Sequence, residues 1–197
     1  ACSAGISPPP GRLIDRAFLH GGYVREDTAV MSATQLHRPE PRTAPVDLRV
    51  LPDTDEVWVT VVDEQVACLD PRTGEPEAEY RTFKEGQFRR CRAMVRAGLG
   101  AWYGAFVNGR LAADLGVFTD GAELLRFQAV NTHPDFRRRG RCSALTHFAG
   151  THAQRVFGGH QLVIVADDHD VAKGIYERVG VRVVERQRLL LKRPPTS

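Results

Sequence analysis

The sequence predicts an α/β (α+β) domain with a mixed central sheet of about six to seven strands and four helices. Three observations predict it. Two strand-like runs, Ala101 to Val107 and Arg110 to Phe118, are joined by Asn108-Gly109, the dipeptide that best accepts the positive φ angles of a tight hairpin turn. A third run, Glu123 to Asn131, follows the turn Thr119-Asp120-Gly121 and completes an antiparallel meander. Beyond residue 133 the pattern changes to alternating α and β, with a helical stripe from Arg141 to Phe157 and a fully apolar run, Leu162 to Ala166, that belongs inside a sheet.

The remaining elements fall into order around these. Val46, Leu48 and Val50 alternate with polar residues as a half-buried strand does, and Pro52 stops them. Asp53 or Thr54 can cap a helix carrying Trp58, Val61, Val62, Val66 and Leu69 on one side, ending before Pro71. Thr82-Phe83-Lys84-Glu85 has the form of a capping box and predicts a second helix, with Phe88, Cys91, Met94, Val95 and Leu99 on one face and Gly98 as its stop. Asp170 to Val179 predicts a short helix closed by Gly180, and Val181 to Lys192 a last strand. Residues 1–45 hold three consecutive prolines and a Gly-Gly pair, and are expected to form an irregular extension or the remnant of an upstream domain, with at most a short strand near Thr28 to Thr34. The domain proper is placed at 46–197.

Composition narrows the function. The net charge of +3 is too small to indicate general affinity for nucleic acid, and no aromatic platform is interleaved with the arginines between 126 and 155. No apolar run approaches the roughly 20 residues of a membrane span. The four cysteines, Cys2, Cys68, Cys91 and Cys142, show no metal-ligand spacing, so neither a zinc site nor a disulfide framework is expected, and a reducing, cytoplasmic setting is. No Gly-x-x-x-x-Gly-Lys phosphate loop is present.

The chemistry concentrates at one junction. His133-Pro134-Asp135-Phe136-Arg137-Arg138-Arg139-Gly140-Arg141-Cys142 links the last meander strand to a helix. A helix start leaves backbone N–H groups without partners and carries partial positive charge, so it accepts a pyrophosphate, and a glycine there removes the side chain that would block the approach. Arginines add charge-assisted bonds, and those not so used are expected in solvent.

This segment resembles the pyrophosphate loop of the GNAT superfamily of acyl-CoA N-acyltransferases, whose pattern is Gln or Arg, two residues, Gly, one residue, then Gly or Ala; Cys142 stands at the last position. A second segment, Asp168 to Val181, is similar to the superfamily's Asn-x-x-Ala-x-x-hydrophobic-Tyr-Glu-x-x-Gly-hydrophobic run, with Ala172, Ile175, Tyr176, Glu177, Gly180 and Val181 in place and His169 where Asn is usual. Arg126 to Pro134 reads like the cofactor-facing strand of bacterial members, and the likeness covers about Val46 to Arg193. The resemblance implies acetyl-CoA as co-substrate, no metal, and transfer of an acetyl group to an amine of a small molecule or peptide within a ternary complex, by a monomer or homodimer. It assigns the pyrophosphate to Arg137, Arg138, Arg139, Gly140, Arg141, Cys142 and Ser143, the pantetheine to the amides of Val130, Asn131 and Thr132, a further cofactor contact to His169, and the role of general acid to Tyr176. Many members place a glutamate on the strand before the loop as general base. Here Arg126 and Asn131 occupy its middle, leaving Glu123 and His133 as fallbacks, His133 being expected as a loop residue without a partner. The missing carboxylate also fits a different class of protein, a non-catalytic acyl-CoA-binding regulatory module.

Overall fold

A computed structural model describes residues 11–40 and 46–192. Among these the elements run α1 (Gly11–His20), β1 (Val24–Ala33), β2 (Asp47–Val50), α2 (Asp55–Val66), α3 (Glu77–Arg96), β3 (Gly100–Val107), β4 (Arg110–Thr119), β5 (Leu124–Thr132), α4 (Arg141–Phe157), β6 (Gln161–Asp167), α5 (Val171–Arg178) and β7 (Arg182–Leu191). All seven strands form one sheet in the order β2-β3-β4-β5-β6-β1-β7. Every pairing is antiparallel except that of β5 with β6. The mixed sheet is therefore as predicted, and α1 adds a fifth helix to the expected four.

Helices cover the sheet on both sides, which explains why β4 is buried at nearly every position. On one side α4 contributes Leu145, Ala149 and Ala153 to a core shared with Tyr103, Leu115, Phe127, Leu162 and Tyr176. On the other, Trp58, Val61, Val62 and Val66 of α2 meet Phe88 of α3 over Trp102 and Phe118. Each such side chain, fully buried, contributes roughly 1.5–3 kcal/mol before conformational entropy is subtracted. Gly116 is required here by close approach: a Cβ on it would lie 2.4 Å from the Trp102 ring.

Local signals account for most boundaries. Thr54 caps α2, its hydroxyl accepting from the Val57 amide, and Asn108 and Gly109 take φ of 50° and 78° in the β3–β4 turn. Gly98, at φ 72°, follows the end of α3. The expected start of α3 is corrected: the helix begins at Glu77, and Thr82 lies inside it, donating its hydroxyl to the Ala78 carbonyl. The cause is Pro76, whose fixed φ of −62° suits a helix entrance and whose missing N–H costs nothing there.

The division at residue 46 is corrected too. Val24–Ala33 is a ten-residue interior strand, paired with β6 from Thr28–Asp167 to Ala33–Leu162 and with β7 along its length. A boundary at 46 would therefore cut through a single sheet, and Ala29 and Met31 of β1 are wholly buried in the main core. The expected polyproline stretch Pro8-Pro9-Pro10 and the segment 41–45 lie outside the described residues.

Candidate functional site

The parallel pair β5–β6 holds together for only three positions, Leu124–Gln161 to Arg126–Val163. Beyond them β5 turns away. Its ladder with β4 slips at the same level: Gly116 faces Gln128 and Asp114 faces Asn131, so two steps along β4 match three along β5. The additional residue is accommodated by Ala129 at φ 47°, a left-handed conformation that L-residues enter only at a cost. Val130, Asn131 and Thr132 lie past this bulge, on the part of β5 that has left β6.

The chain then enters a short 3-10 turn, Pro134–Phe136, and the loop before α4. Arg138 and Gly140 take φ of 62° and 76°, and Gly140 caps α4 without any side-chain bond to the first amides. Arg137 anchors the loop to β5 by donating Nε to the Thr132 carbonyl at 3.1 Å. Arg137, Arg138 and Arg139 are exposed, as expected of surface arginines. Arg141 is not: only 6% exposed, it lies over the Phe136 ring and donates to the Phe136 carbonyl at 3.4 Å, while its buried Nε has no partner. It forms no ion pair among the described residues, and burial and neighbouring Arg139 push its pKa down. Arg141 is thus a buried guanidinium at the start of a 17-residue helix whose one charged neighbour with a resolved effect on it is another cation, Arg139.

No protein-family model matches the chain, and no curated protein sequence does. Solved structures do match. A GCN5-related N-acetyltransferase from Kribbella flavida aligns with TM-score 0.60 at 19% identity, over 95% of this chain and 65% of its own. A tandem GNAT protein from the clavulanic acid biosynthesis pathway aligns with TM-score 0.63 at 16% identity, over 100% of this chain and 63% of its own. A functionally unknown conserved protein from Staphylococcus epidermidis gives TM-score 0.66 at 12% identity, over 97% of this chain and 70% of its own. The chain has the GNAT fold. It spans about two thirds of the length of these neighbours, and identities this low establish the fold alone.

Within the GNAT fold the sequence-derived candidates fall into two groups. Tyr176, 5% exposed, packs in the core between α5 and α4, and burial together with Cys142 and Asp170 raises its phenol well above the usual range, so it keeps its proton. Cys142 beside it has its thiol pushed up to about 11 by burial. Ser143 is buried on the same turn. His169 is exposed in the turn before α5, next to Asp170, which caps that helix.

The two fallback bases do not join them. Glu123 lies at the opposite end of β5, its carbonyl accepting from the His160 and Gln161 amides, roughly 26 Å of extended chain from Asn131. His133 was expected to lack a partner, yet both ring nitrogens have close neighbours: Nδ1 lies 3.2 Å from the Asp135 amide nitrogen, and Nε2 lies 2.8 Å from Nη2 of Arg110. Both neighbours are N–H donors and a neutral imidazole accepts at one nitrogen only, so one of these contacts is a hydrogen bond and the other sets two N–H groups face to face.

Two carboxyl groups on the α2–α3 side of the same GNAT sheet were missed. Asp114 is fully buried and accepts from Trp102 Nε1 at 3.0 Å and Gln65 Nε2 at 3.3 Å, and burial raises it to about 7. Glu64, half-buried on α2, has a buried oxygen without a partner, and burial raises its pKa. Nothing local marks Glu64. Asp114 interrupts an apolar strand, which is the one signal that sequence reading could have used.

Proposed function

We propose that the chain is an N-acetyltransferase that moves an acetyl group from acetyl-CoA to an amine of a small molecule or peptide by direct transfer in a ternary complex. One observation carries this reading: the buried, anion-lacking guanidinium of Arg141 at the glycine-capped start of α4. A pyrophosphate fits the residues present, since the helix start supplies unpartnered N–H groups, Arg141 a desolvated cation, and Arg137 to Arg139 exposed positive charge.

When bound, acetyl-CoA supplies an activated thioester. The protein's part is to place it and to move protons. Gly140 to Ser143 hold the phosphates; the amides of Val130 to Thr132, on the diverged arm of β5, orient the pantetheine and polarise the acyl carbonyl. Tyr176, kept protonated by burial, delivers its proton to the departing sulfur. The reading includes a metal-free site and a reducing, cytoplasmic setting, with Cys68, Cys91 and Cys142 as free thiols, and among the described residues no helix is long and apolar enough to cross a membrane.

The test is a calorimetric titration with acetyl-CoA followed by free-thiol release over a panel of amines. Binding with amine-dependent release is expected. Binding without release for any amine would select the regulatory-module reading, which draws on the lack of a carboxylate in the middle of β5. No binding at millimolar cofactor would remove both.

A further inference from the structure

Building on the acetyl-transfer reading, we infer that Glu64 of α2 is the group that accepts the amine's proton. The carboxylate missing from β5 is supplied by the helix lying against it.

The last turn of α2 and Cys68, two residues past its end, dock on the bulged end of β5 through three contacts. Gln65 Nε2 donates to the Ala129 carbonyl at 3.0 Å, Asn131 Nδ2 donates to the Glu64 carbonyl at 3.2 Å, and Cys68 Sγ lies 3.5 Å from the Thr132 carbonyl. These fix Glu64 beside the strand segment whose amides face the acyl group in the proposed function. Its Oε2 is buried and bonded to nothing among the described residues. A buried acceptor left unpaired costs about 1–3 kcal/mol, so its retention calls for a partner that arrives with a ligand. An amine N–H is such a partner.

The surroundings set the proton affinity. From β4 and the turn after β5, Arg110 and, when protonated, His133 favour the carboxylate, while Asp63 on α2 and Asp135 oppose it, as does burial, the largest effect; Asp114 on β4 in turn feels Glu64. The net direction is upward, which makes the Glu64 carboxylate a stronger proton acceptor than an ordinary glutamate. The other candidates are unavailable to an amine. Asp114 is wholly buried under Trp102 and Gln65, His133 is flanked at its two nitrogens by the Asp135 amide and the Arg110 guanidinium, and Glu123 sits at the far end of β5.

In the step itself the amine lone pair forms the N–C bond to the acyl carbon and the C–S bond breaks with its electron pair on sulfur. The N–H proton passes to a Glu64 oxygen and from there to solvent. Sulfur takes its proton from Tyr176 or water.

The experiment compares wild-type protein with Glu64→Gln and Glu64→Asp. It measures acetyl-CoA affinity by calorimetry, kcat against pH with an acceptor of known pKa, and the carboxyl titration of ligand-free protein by NMR after ¹³C labelling of glutamate. Glu64→Gln should bind acetyl-CoA within twofold of wild type, lose about 10² to 10⁴ in kcat, and lose the low-pH limb that is not the acceptor's own. One glutamate signal titrating above the usual range should vanish with it, and Glu64→Asp should recover part of the rate. A kcat within twofold of wild type in Glu64→Gln would overturn the assignment. Wild-type protein that binds no acetyl-CoA would instead overturn the acetyl-transfer reading on which it rests.

Discussion

Trp102 Nε1 donates to Oδ2 of Asp114 at 3.0 Å, directly under the bulge where β5 turns away from β6. Gln65 completes the arrangement, its Nε2 shared between Asp114 and the Ala129 carbonyl. One buried carboxyl thus ties β3, β4, α2 and the bulged strand together, and burial holds its pKa at about 7 against an ordinary 3.8.

The consequence is a pH-dependent stability of definite sign. The folded state holds this proton more tightly than the unfolded chain, so the group's contribution is complete below about 3.8 and is lost as pH rises toward about 7. Asp27 and Asp53, held down to about 2 by their arginines, act only at lower pH. Asp114→Asn should flatten the fall in melting temperature between about pH 4 and 7, a difference of the order of a few kcal/mol. An unchanged slope in thermal melts across that range would refute it.

Gly116→Ala tests the same layer by packing. Its new Cβ would lie 2.4 Å from the Trp102 ring, which is held between Trp58, Phe88 and Phe118 and cannot withdraw cheaply. A loss of about 1–3 kcal/mol is expected, read as a lower urea midpoint with unchanged slope. A midpoint equal to wild type would show the layer to be looser than the structure has it.

Gly140→Val should weaken acetyl-CoA binding at least tenfold, about 1.4 kcal/mol. The position has φ 76°, which a β-branched residue resists, and the added side chain stands at the helix start where the phosphate approaches. Unchanged affinity by calorimetry would place the pyrophosphate elsewhere.

Tyr176→Phe keeps the ring in the core cluster that also holds Ala149, Val179 and Val181, and removes only the hydroxyl. If that hydroxyl protonates the departing thiolate, kcat should fall by about 10² to 10⁴, nearer the low end because a thiolate leaves readily, with little change in acetyl-CoA affinity. A kcat within twofold of wild type, measured where chemistry limits the rate, would leave Tyr176 a packing residue.

How much of this was legible in the chain follows from where each signal resides. The helix α4 was readable to its ends because Gly140 and Gly158, both left-handed, flank an apolar stripe, and the β3–β4 turn because Asn-Gly fits one geometry. β1 was largely hidden. Its ten residues mix Arg25, Glu26 and Asp27 with apolar positions, and its partners β6 and β7 lie more than a hundred residues downstream, so no local pattern reveals an interior strand. At the candidate site, the arginine- and glycine-bearing loop before α4 was legible as a motif, whereas the inward turn of Arg141 depends on the Phe136 ring beneath it. Glu64 lies off the apolar stripe of α2 and reads as a solvated residue. Only the docking of that helix on Asn131 and Thr132 brings it to the strand end.

Whether α4 begins at a phosphate site completed by Arg141 is tested most directly by parallel calorimetric titrations of wild-type protein and Arg141→Met with acetyl-CoA. The methionine fills similar volume without burying an unpaired charge, so ligand-free Arg141→Met should melt no lower than wild type. Removing one desolvated charge-assisted contact, worth about 1.5–3 kcal/mol, should weaken its binding about 10- to 100-fold. Wild-type protein that takes up no acetyl-CoA, or a variant that binds it as tightly as wild type, would contradict the account.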